Sequence, residues 1–335
     1  MTHDADLVVE LVRRQELIRP GEPVIVMLSG GRDSVCLLDV VVRLAGPEVT
    51  SALHVNYGLR EAADEDERHC ERLCEALRVE LEIRRARRPE GAGNLQAWAR
   101  DARYGAAAEL ALRRGAQVAA GHTASDQVET ILYRLAASPG RRALLGMRPR
   151  DGRLVRPLLA VTRDQTAAYC SARGLTWRED ETNNSDVYAR ARVRANLVPA
   201  LRGVHPAAER NVIRTAQQLR DEAEVLDAVV DEVLEGRGRI ELSRLAALPA
   251  ALRRLVARRL AEDAAGRLAP DAAERVDELL ALRDRRSAEL HLADGLRALI
   301  EHGVLRFAAV SRDAEPPATM PSPEPTTAAL PLLPD

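Results

Sequence analysis

The chain contains no lysine: all 49 of its basic residues are arginine. That absence excludes the Walker nucleotide loop, G-x-x-x-x-G-K-[ST], whose lysine reaches the terminal phosphates. A Rossmann G-x-G-x-x-G is missing as well. Aromatic residues make up 2% of the sequence, so the core has to be assembled from alanine, leucine and valine. The four cysteines, Cys36, Cys70, Cys74 and Cys170, form no C-x-x-C, and no histidine cluster accompanies the Cys70/Cys74 pair. Neither a disulfide framework nor a four-ligand zinc site is expected, and the thiols read as buried. No apolar run approaches the roughly 18 residues of a membrane span. The opening Met-Thr-His-Asp-Ala-Asp lacks the basic and apolar segments of a secretory leader, so a cytoplasmic protein is expected. Charge is nearly balanced, net −2, which leaves any basic surface for nucleic acid to be local.

What is present is organised around Val24 to Asp39, V-I-V-M-L-S-G-G-R-D-S-V-C-L-L-D. A continuous apolar run enters Ser29-Gly30-Gly31-Arg32-Asp33-Ser34, after which Val35, Leu37, Leu38, Val41 and Val42 return at helical spacing. The pattern predicts strand, tight loop, helix. Small residues at the junction let backbone N–H groups face outward, and the helix N-terminus adds a favourable field for an anion. The spacing therefore points to a phosphate site. These six residues resemble the pyrophosphate loop of the N-type ATP pyrophosphatases. The resemblance implies that the loop Ser29, Gly30, Gly31, Arg32, Asp33, Ser34 holds the pyrophosphate portion of ATP and that Asp33 ligates Mg²⁺.

Strands and helices alternate through the first half. Strands are expected near Val24–Leu28, 49–55, 79–83 and 117–120, with helices at 5–18, after the loop, at 64–77, 94–114 and 125–135, the last with Ser125 or Asp126 near its cap. Such βαβα order implies an α/β fold with a Rossmann-like, doubly wound parallel sheet, ligands binding at the strand carboxyl ends. Beyond Arg156-Pro157-Leu158-Leu159 come a helix at 163–172 and a short strand at 175–177. Helices follow at 207–234, 250–264 and 271–282, then short strands at 288–292, 296–301 and 304–308. The expected division is a catalytic domain over 1–204, a smaller α-rich domain over 205–312, and a Pro-rich disordered tail over 313–335.

At the fourth strand's end stands Gly121-His122-Thr123-Ala124-Ser125-Asp126-Gln127-Val128-Glu129-Thr130. Asp126 and Glu129, three apart, share a helix face, and His122 precedes that helix. Such a carboxylate pair suits a divalent metal or a substrate ammonium. Three further stretches accompany it: His54-Val55-Asn56-Tyr57-Gly58-Leu59-Arg60, Asn94-Leu95-Gln96-Ala97-Trp98-Ala99-Arg100 with Arg103-Tyr104, and Thr182-Asn183-Asn184 leading to Arg190, Arg192 and Arg194.

In this order the five motifs resemble the tRNA(Ile)-lysidine synthetases, over roughly residues 20–200 in motif and to about 310 in architecture. The sequence departs from that family at Ser125, at Tyr57 and at Ala137-Ser138-Pro139-Gly140. The resemblance implies ATP-dependent ligation of free lysine to C2 of the wobble cytidine in a CAU-anticodon isoleucine tRNA, through an adenylated intermediate. By it, Asp126 and Glu129 hold the lysine, His122 assists, Asp33 serves catalysis through the metal, and Arg190, Arg192 and Arg194 meet the tRNA. Members of the family often form homodimers, an expectation the resemblance extends to this chain. Two arginine-rich stretches serve a nucleic acid: 141–156 holds six arginines against one acid, and 188–202 holds four and no acid. The arginines at 253, 254, 258 and 259 read instead as a solvated helix face. Two other readings remain: thiolation by another enzyme of the superfamily, which paired C-x-x-C motifs or a site cysteine would favour, and a non-catalytic tRNA-binding protein.

Overall fold

The computed structural model describes residues 2–58, 63–89, 94–137, 141–178 and 189–309. The tail expected to be disordered, the Thr182-Asn183-Asn184 motif, Arg60 and the altered loop at 138–140 lie outside them. The chain divides into two compact units, Met1–Leu219 and Arg220–Asp335.

The first unit runs α1 (Thr2–Arg13), β1 (Val24–Met27), α2 (Arg32–Ala45), β2 (Thr50–Asn56), α3 (Ala63–Leu77), β3 (Glu80–Arg85), α4 (Leu95–Arg114), β4 (Gln117–Ala119) and α5 (Ala124–Ala137). It continues through α6 (Arg141–Leu144), the short strands β5 (Arg150–Asp151) and β6 (Leu154–Val155), α7 (Arg163–Ala172), α8 (Ala189–Arg192), a π-helical turn at Val193–Leu197 and α9 (Val198–Val204). The strands form one sheet in the order β3-β2-β1-β4-β6-β5, parallel except for β5. The expected parallel α/β sheet is thus present.

β1 is buried on both sides, as a central parallel strand must be. Its alternate residues serve opposite layers. Val24 and Val26 pack with α1, α2, α3 and α7, and Ile25 and Met27 with Ala107, Leu110 and Ala111 of α4.

A buried polar clasp joins α2 to α7. Asp39, 1% exposed, accepts from the Tyr169 hydroxyl and from Arg173 Nε (3.1 Å) and Nη2 (3.3 Å). Burial and the adjacent carboxylate push the Tyr169 phenol well above its ordinary range, so it stays a donor.

Three sequence expectations are corrected. The first helix stops at Arg13 rather than residue 18, and Glu16 takes a left-handed conformation (φ 52°). Residues 175–178 form no strand; their pairing is with the loop, Arg178 N–H donating to Gly30 O at 2.9 Å, instead of with a sheet edge. The helix expected at 271–282 breaks at Arg275 (φ −97°, ψ 15°), whose guanidinium is drawn to the His291 carbonyl and Glu278. The β5–β6 hairpin, two residues per strand, is too short for a periodicity to reveal.

The unit boundary falls within α10 (Ala208–Leu234). Beyond it lie β7 (Arg239–Glu241), α11 (Leu242–Ala247), α12 (Ala250–Ala265), α13 (Asp271–Glu274), α14 (Val276–Ala281), β8 (Ser287–His291), β9 (Leu296–Glu301) and β10 (Val304–Ala309). The strands make an antiparallel sheet, β7-β10-β9-β8. The three C-terminal strands match expectation, and β7 adds an edge. Leu296, Ala298 and Ile300 alternate inward against Leu305, Val256 and Leu260. His302 and Gly303, both with positive φ (51° and 78°), close β9 onto β10 in a tight hairpin. Arg259 of α12 pairs with Asp227 and Asp231 of α10, as fits a solvated charged face. Among the described residues no helix is long and apolar enough to cross a membrane.

Replacing Asp39 by Ala strips Tyr169 and Arg173 of their shared acceptor, and a loss of about 1–3 kcal/mol is expected. A urea-unfolding midpoint unchanged from the parent would show that this clasp contributes nothing.

Candidate functional site

β1 has β2 on one side and β4 on the other. The chain leaving β1 enters α2 on one face of the sheet and the chain entering β4 comes from α4 on the other, so a crevice opens at their carboxyl ends. A cleft of about 620 Å³ occupies it, floored by the loop after β1 and by Gly121 and His122 after β4.

The loop is built as its composition predicts. Gly30 sits at φ +81°, where a side chain would be strained and would also meet the Cys70 thiol. The two serines close the loop on itself. Ser34 Oγ donates to Gly31 O (2.8 Å) and accepts from Ser29 N–H (3.2 Å), while Ser29 Oγ accepts from Gly31 N–H (3.3 Å). Gly31 caps α2 without a side-chain hydrogen bond, so the helix N-terminus stays open toward the cleft. Gly121 lets β4 reach this turn: a Cβ there would stand 3.3 Å from the Asp33 carbonyl and the Ser34 nitrogen.

Asp33 is the loop's carboxylate. It accepts from the Thr166 hydroxyl (2.5 Å), lies 3.4 Å from Arg32 Nε, and is 3.8 Å from Arg163 Nε. On α5, Thr123 and Asp126 form a reciprocal cap. Thr123 N–H and O–H donate to Asp126 Oδ2 (2.8 and 2.7 Å), and Asp126 N–H donates to Thr123 Oγ1 (3.3 Å). The capping residue is therefore Thr123, which leaves the second carboxylate oxygen of Asp126 free to reach Arg163.

Arg163 joins the two halves. From the first position of α7 its guanidinium donates to Asp126 Oδ1 and to Glu129 Oε1 (2.7 Å) while facing Asp33. Arg194, in the π-helical turn, completes Glu129, with Nε on Oε1 (2.7 Å) and Nη2 on Oε2 (3.0 Å). Burial alone would lift Asp126, but Arg163, His122 and the Thr123 donors together hold it below the usual carboxylate range. Arg163 responds in kind. Burial opposes its charge, yet Asp126 and Glu129 raise its hold on the proton.

The expected pair Asp126 and Glu129 is thus brought together, although only Asp126 lines the cleft. Glu129, with 6% of its side chain exposed, lies beneath the two arginines. His122 lines the cleft beside Asp126, and its Nδ1 has no hydrogen-bond partner. Burial pushes its pKa down to about 3, Arg156, Arg103 and Arg100 adding to the effect against Asp126. Of the expected tRNA contacts, Arg194 faces the cleft, while Arg190 and Arg192 lie on the single turn of α8 that precedes it. Within the 141–156 stretch, Arg156 is withdrawn from the surface, 3% exposed and donating to Arg148 O (2.7 Å).

Sequence reasoning missed Arg163, Thr166 and Arg178. The Thr162–Gln165 capping box marks where α7 begins, but nothing local says that its first residue reaches carboxylates more than 30 residues away. None of the four thiols lines the cleft. All are buried, and burial pushes Cys70 and Cys74 up to about 12.

A neutral His122 has a sign for stability. Its folded pKa lies below the unfolded value of about 6.5, so below that pH the unfolded chain binds the extra proton and the folded state loses stability down toward pH 3. NMR of the imidazole is expected to show a neutral ring at pH 5; a ring protonated at that pH sinks this assignment.

The family model for the PP-loop domain matches residues 5–201. A tRNA(Ile)-lysidine synthase of Geobacter sulfurreducens is 35% identical over 315 residues, 87% of this chain and 66% of that protein. One of Gloeobacter violaceus is 39% identical over 259 residues, 72% of this chain and 78% of that protein. The chain thus spans just under two thirds of the Geobacter relative's length. Among solved structures, the U34-tRNA thiolase NcsA from Methanococcus maripaludis superposes with a TM-score of 0.54 at 16% identity, over 64% of this chain and 78% of that one, a likeness of fold alone. With the loop and the α5 motif at the sheet's crevice and relatives of this identity over most of its length, the chain belongs to the tRNA(Ile)-lysidine synthase family, within the PP-loop proteins.

Proposed function

We propose that this protein ligates free lysine to C2 of the wobble cytidine in an isoleucine tRNA with a CAU anticodon, spending ATP to AMP and pyrophosphate and turning an AUG-reading tRNA into an AUA-reading one. The observation that carries the reading is a phosphate-type loop and an amine-compatible carboxylate, Asp126, sharing one cleft with no thiol in it. A thiolating enzyme is less well served by such a lining.

The open amino end of α2 and the loop amides face the α–β bridge of ATP, where charge builds as pyrophosphate departs. Asp33 is a suitable Mg²⁺ ligand. Mg²⁺ is commonly held by one or two carboxylates together with substrate phosphates, and no group of three or more metal-binding side chains occurs among the described residues. Bound there, the ion would neutralise the phosphates and orient the α-phosphate for attack by the cytidine C2 oxygen. Thr166 fixes the Asp33 carboxylate for that contact. Asp126 takes the lysine ammonium from the opposite wall, with Glu129 behind it. The neutral ring of His122, a weak base at about pKa 3, favours orienting a substrate group by a hydrogen bond over removing the amine's proton. Arg190, Arg192 and Arg194 are the proposed contacts to tRNA phosphates, and the second unit is the proposed grip on the body of the tRNA.

Incubation with ATP, Mg²⁺, labelled lysine and a CAU-bearing isoleucine tRNA, beside the matching methionine tRNA, tests the reading. Label is expected in the isoleucine tRNA alone, with release of AMP and pyrophosphate. Asp33→Ala should depress turnover by at least about 10²-fold. Pyrophosphate release without incorporation of lysine would overturn the assignment.

A further inference from the structure

Every oxygen of the α5 carboxylate pair already has a donor. Asp126 Oδ2 receives Thr123 N–H and O–H, and Asp126 Oδ1 receives Arg163. Glu129 Oε1 receives both Arg163 and Arg194, and Oε2 receives Arg194. An arriving ammonium must therefore take over an acceptor that a guanidinium holds. The two arginines are unequal in this respect. Arg194 pairs with Glu129, which does not line the cleft, so its departure would leave a buried carboxylate half-served. Arg163 instead spans three carboxylates and lines the cleft beside Asp126. It can release Asp126, the member of the pair that lines the cleft, and remain paired to Glu129 with Asp33 within reach.

The backbone of Arg163 is held for such a task. Thr162 and Gln165 close a capping box at the start of α7, Arg163 N–H donates to Ser125 Oγ (3.3 Å), and Thr166 one turn on donates to Asp33. The Asp39 clasp fixes the far end of the same helix against α2. The guanidinium thus moves on a stationary base.

Resting on the lysine-transfer reading above, we propose that Arg163 is a positioning residue for the amine-transfer half of the reaction: it holds Asp126 in place, yields that carboxylate to the substrate ammonium, and stays anchored through Glu129. The role calls for arginine. A guanidinium presents donors in a planar fork to several carboxylates at once, whereas an ammonium is a single point charge on a flexible stem. Arg163→Lys keeps the positive charge and loses the fork.

The two half-reactions separate the outcomes. Arg163→Lys is expected to leave tRNA-dependent pyrophosphate release within about threefold of the parent while raising the KM for lysine by roughly tenfold or more. Arg163→Ala should show the same split, and added guanidinium ion should restore part of its lysine transfer. Glu129→Gln removes the anchor, so its effect on the lysine KM should fail to add to that of Arg163→Lys. Thermal unfolding of each variant identifies any that does not fold, for which the Glu129→Gln result and the lysine variant carry the test. An unchanged lysine KM in folded Arg163→Lys overturns the inference, as does an equal fall in both half-reactions. Failure of the unaltered protein to transfer lysine at all would sink the functional reading and this inference together; transfer by it with no effect of the substitutions would sink the inference alone.

Discussion

The structure depends on one topological constraint: the chain leaves β1 on one face of the sheet and approaches β4 from the other. The crevice between their carboxyl ends is a gap that backbone cannot fill, and the chain commits its smallest residues to its floor. Gly121 lets the end of β4 come within van der Waals distance of the first turn of α2, while Gly30 and Gly31 carry the loop past α3 and the Arg178 carbonyl. With the end of β4 against that turn, Asp33 on the first turn of α2 and Asp126 on the first turn of α5 line the same cleft. Asp33 and Asp126 are neighbours for that reason, although 93 positions separate them in the sequence.

Bringing carboxylates together in a half-buried cleft is costly unless cations accompany them. The fold supplies those cations from elements that follow the parallel sheet in sequence, Arg163 from α7 and Arg194 from the π-helical turn. α7 is therefore part of the site although it carries no residue of the recognised motifs. Its attachment to α2 through Asp39, Tyr169 and Arg173, and through Thr166 on Asp33, makes the position of the counter-ion a property of core packing. A π-turn is a departure from regular helix that often accompanies functional sites, and here it aims Arg194 at Glu129.

Much of this was legible in the sequence because the signals were local. The switch from a continuous apolar run to helical spacing at Ser29–Ser34 located β1, the loop and α2, and the three-residue spacing of Asp126 and Glu129 placed both on one face of α5. What escaped was long-range. The first residue of α7 has no periodicity or motif that announces its partners, and only the folded chain shows it 2.7 Å from Glu129. The arginines of 141–156 looked uniform in sequence, yet Arg156 turns inward to a backbone carbonyl. The expected strand at 175–177 is absent, because no sheet edge receives these residues. Their backbone instead crosses the phosphate loop, where Arg178 also pairs with Glu65 and Asp66 of α3.

The absence of lysine, which first served to exclude a Walker loop, takes on another sense beside the proposed amine-transfer site. An activated cytidine carbon is open to attack by any unprotonated amine that reaches it. A lysine side chain shifts its pKa readily when buried and can become such an amine, whereas a guanidinium stays protonated and does not. Every side-chain cation around this cleft, Arg32, Arg103, Arg163, Arg178 and Arg194, is of the second kind. They can balance carboxylates and draw phosphates without offering a competing nucleophile, so an amine that reacts there has to come from solution. The same fork that lets Arg163 bridge three carboxylates also keeps it chemically silent, and the two properties together suit an arginine-only surface to the proposed reaction, whose amine donor would be the one basic amino acid the chain lacks.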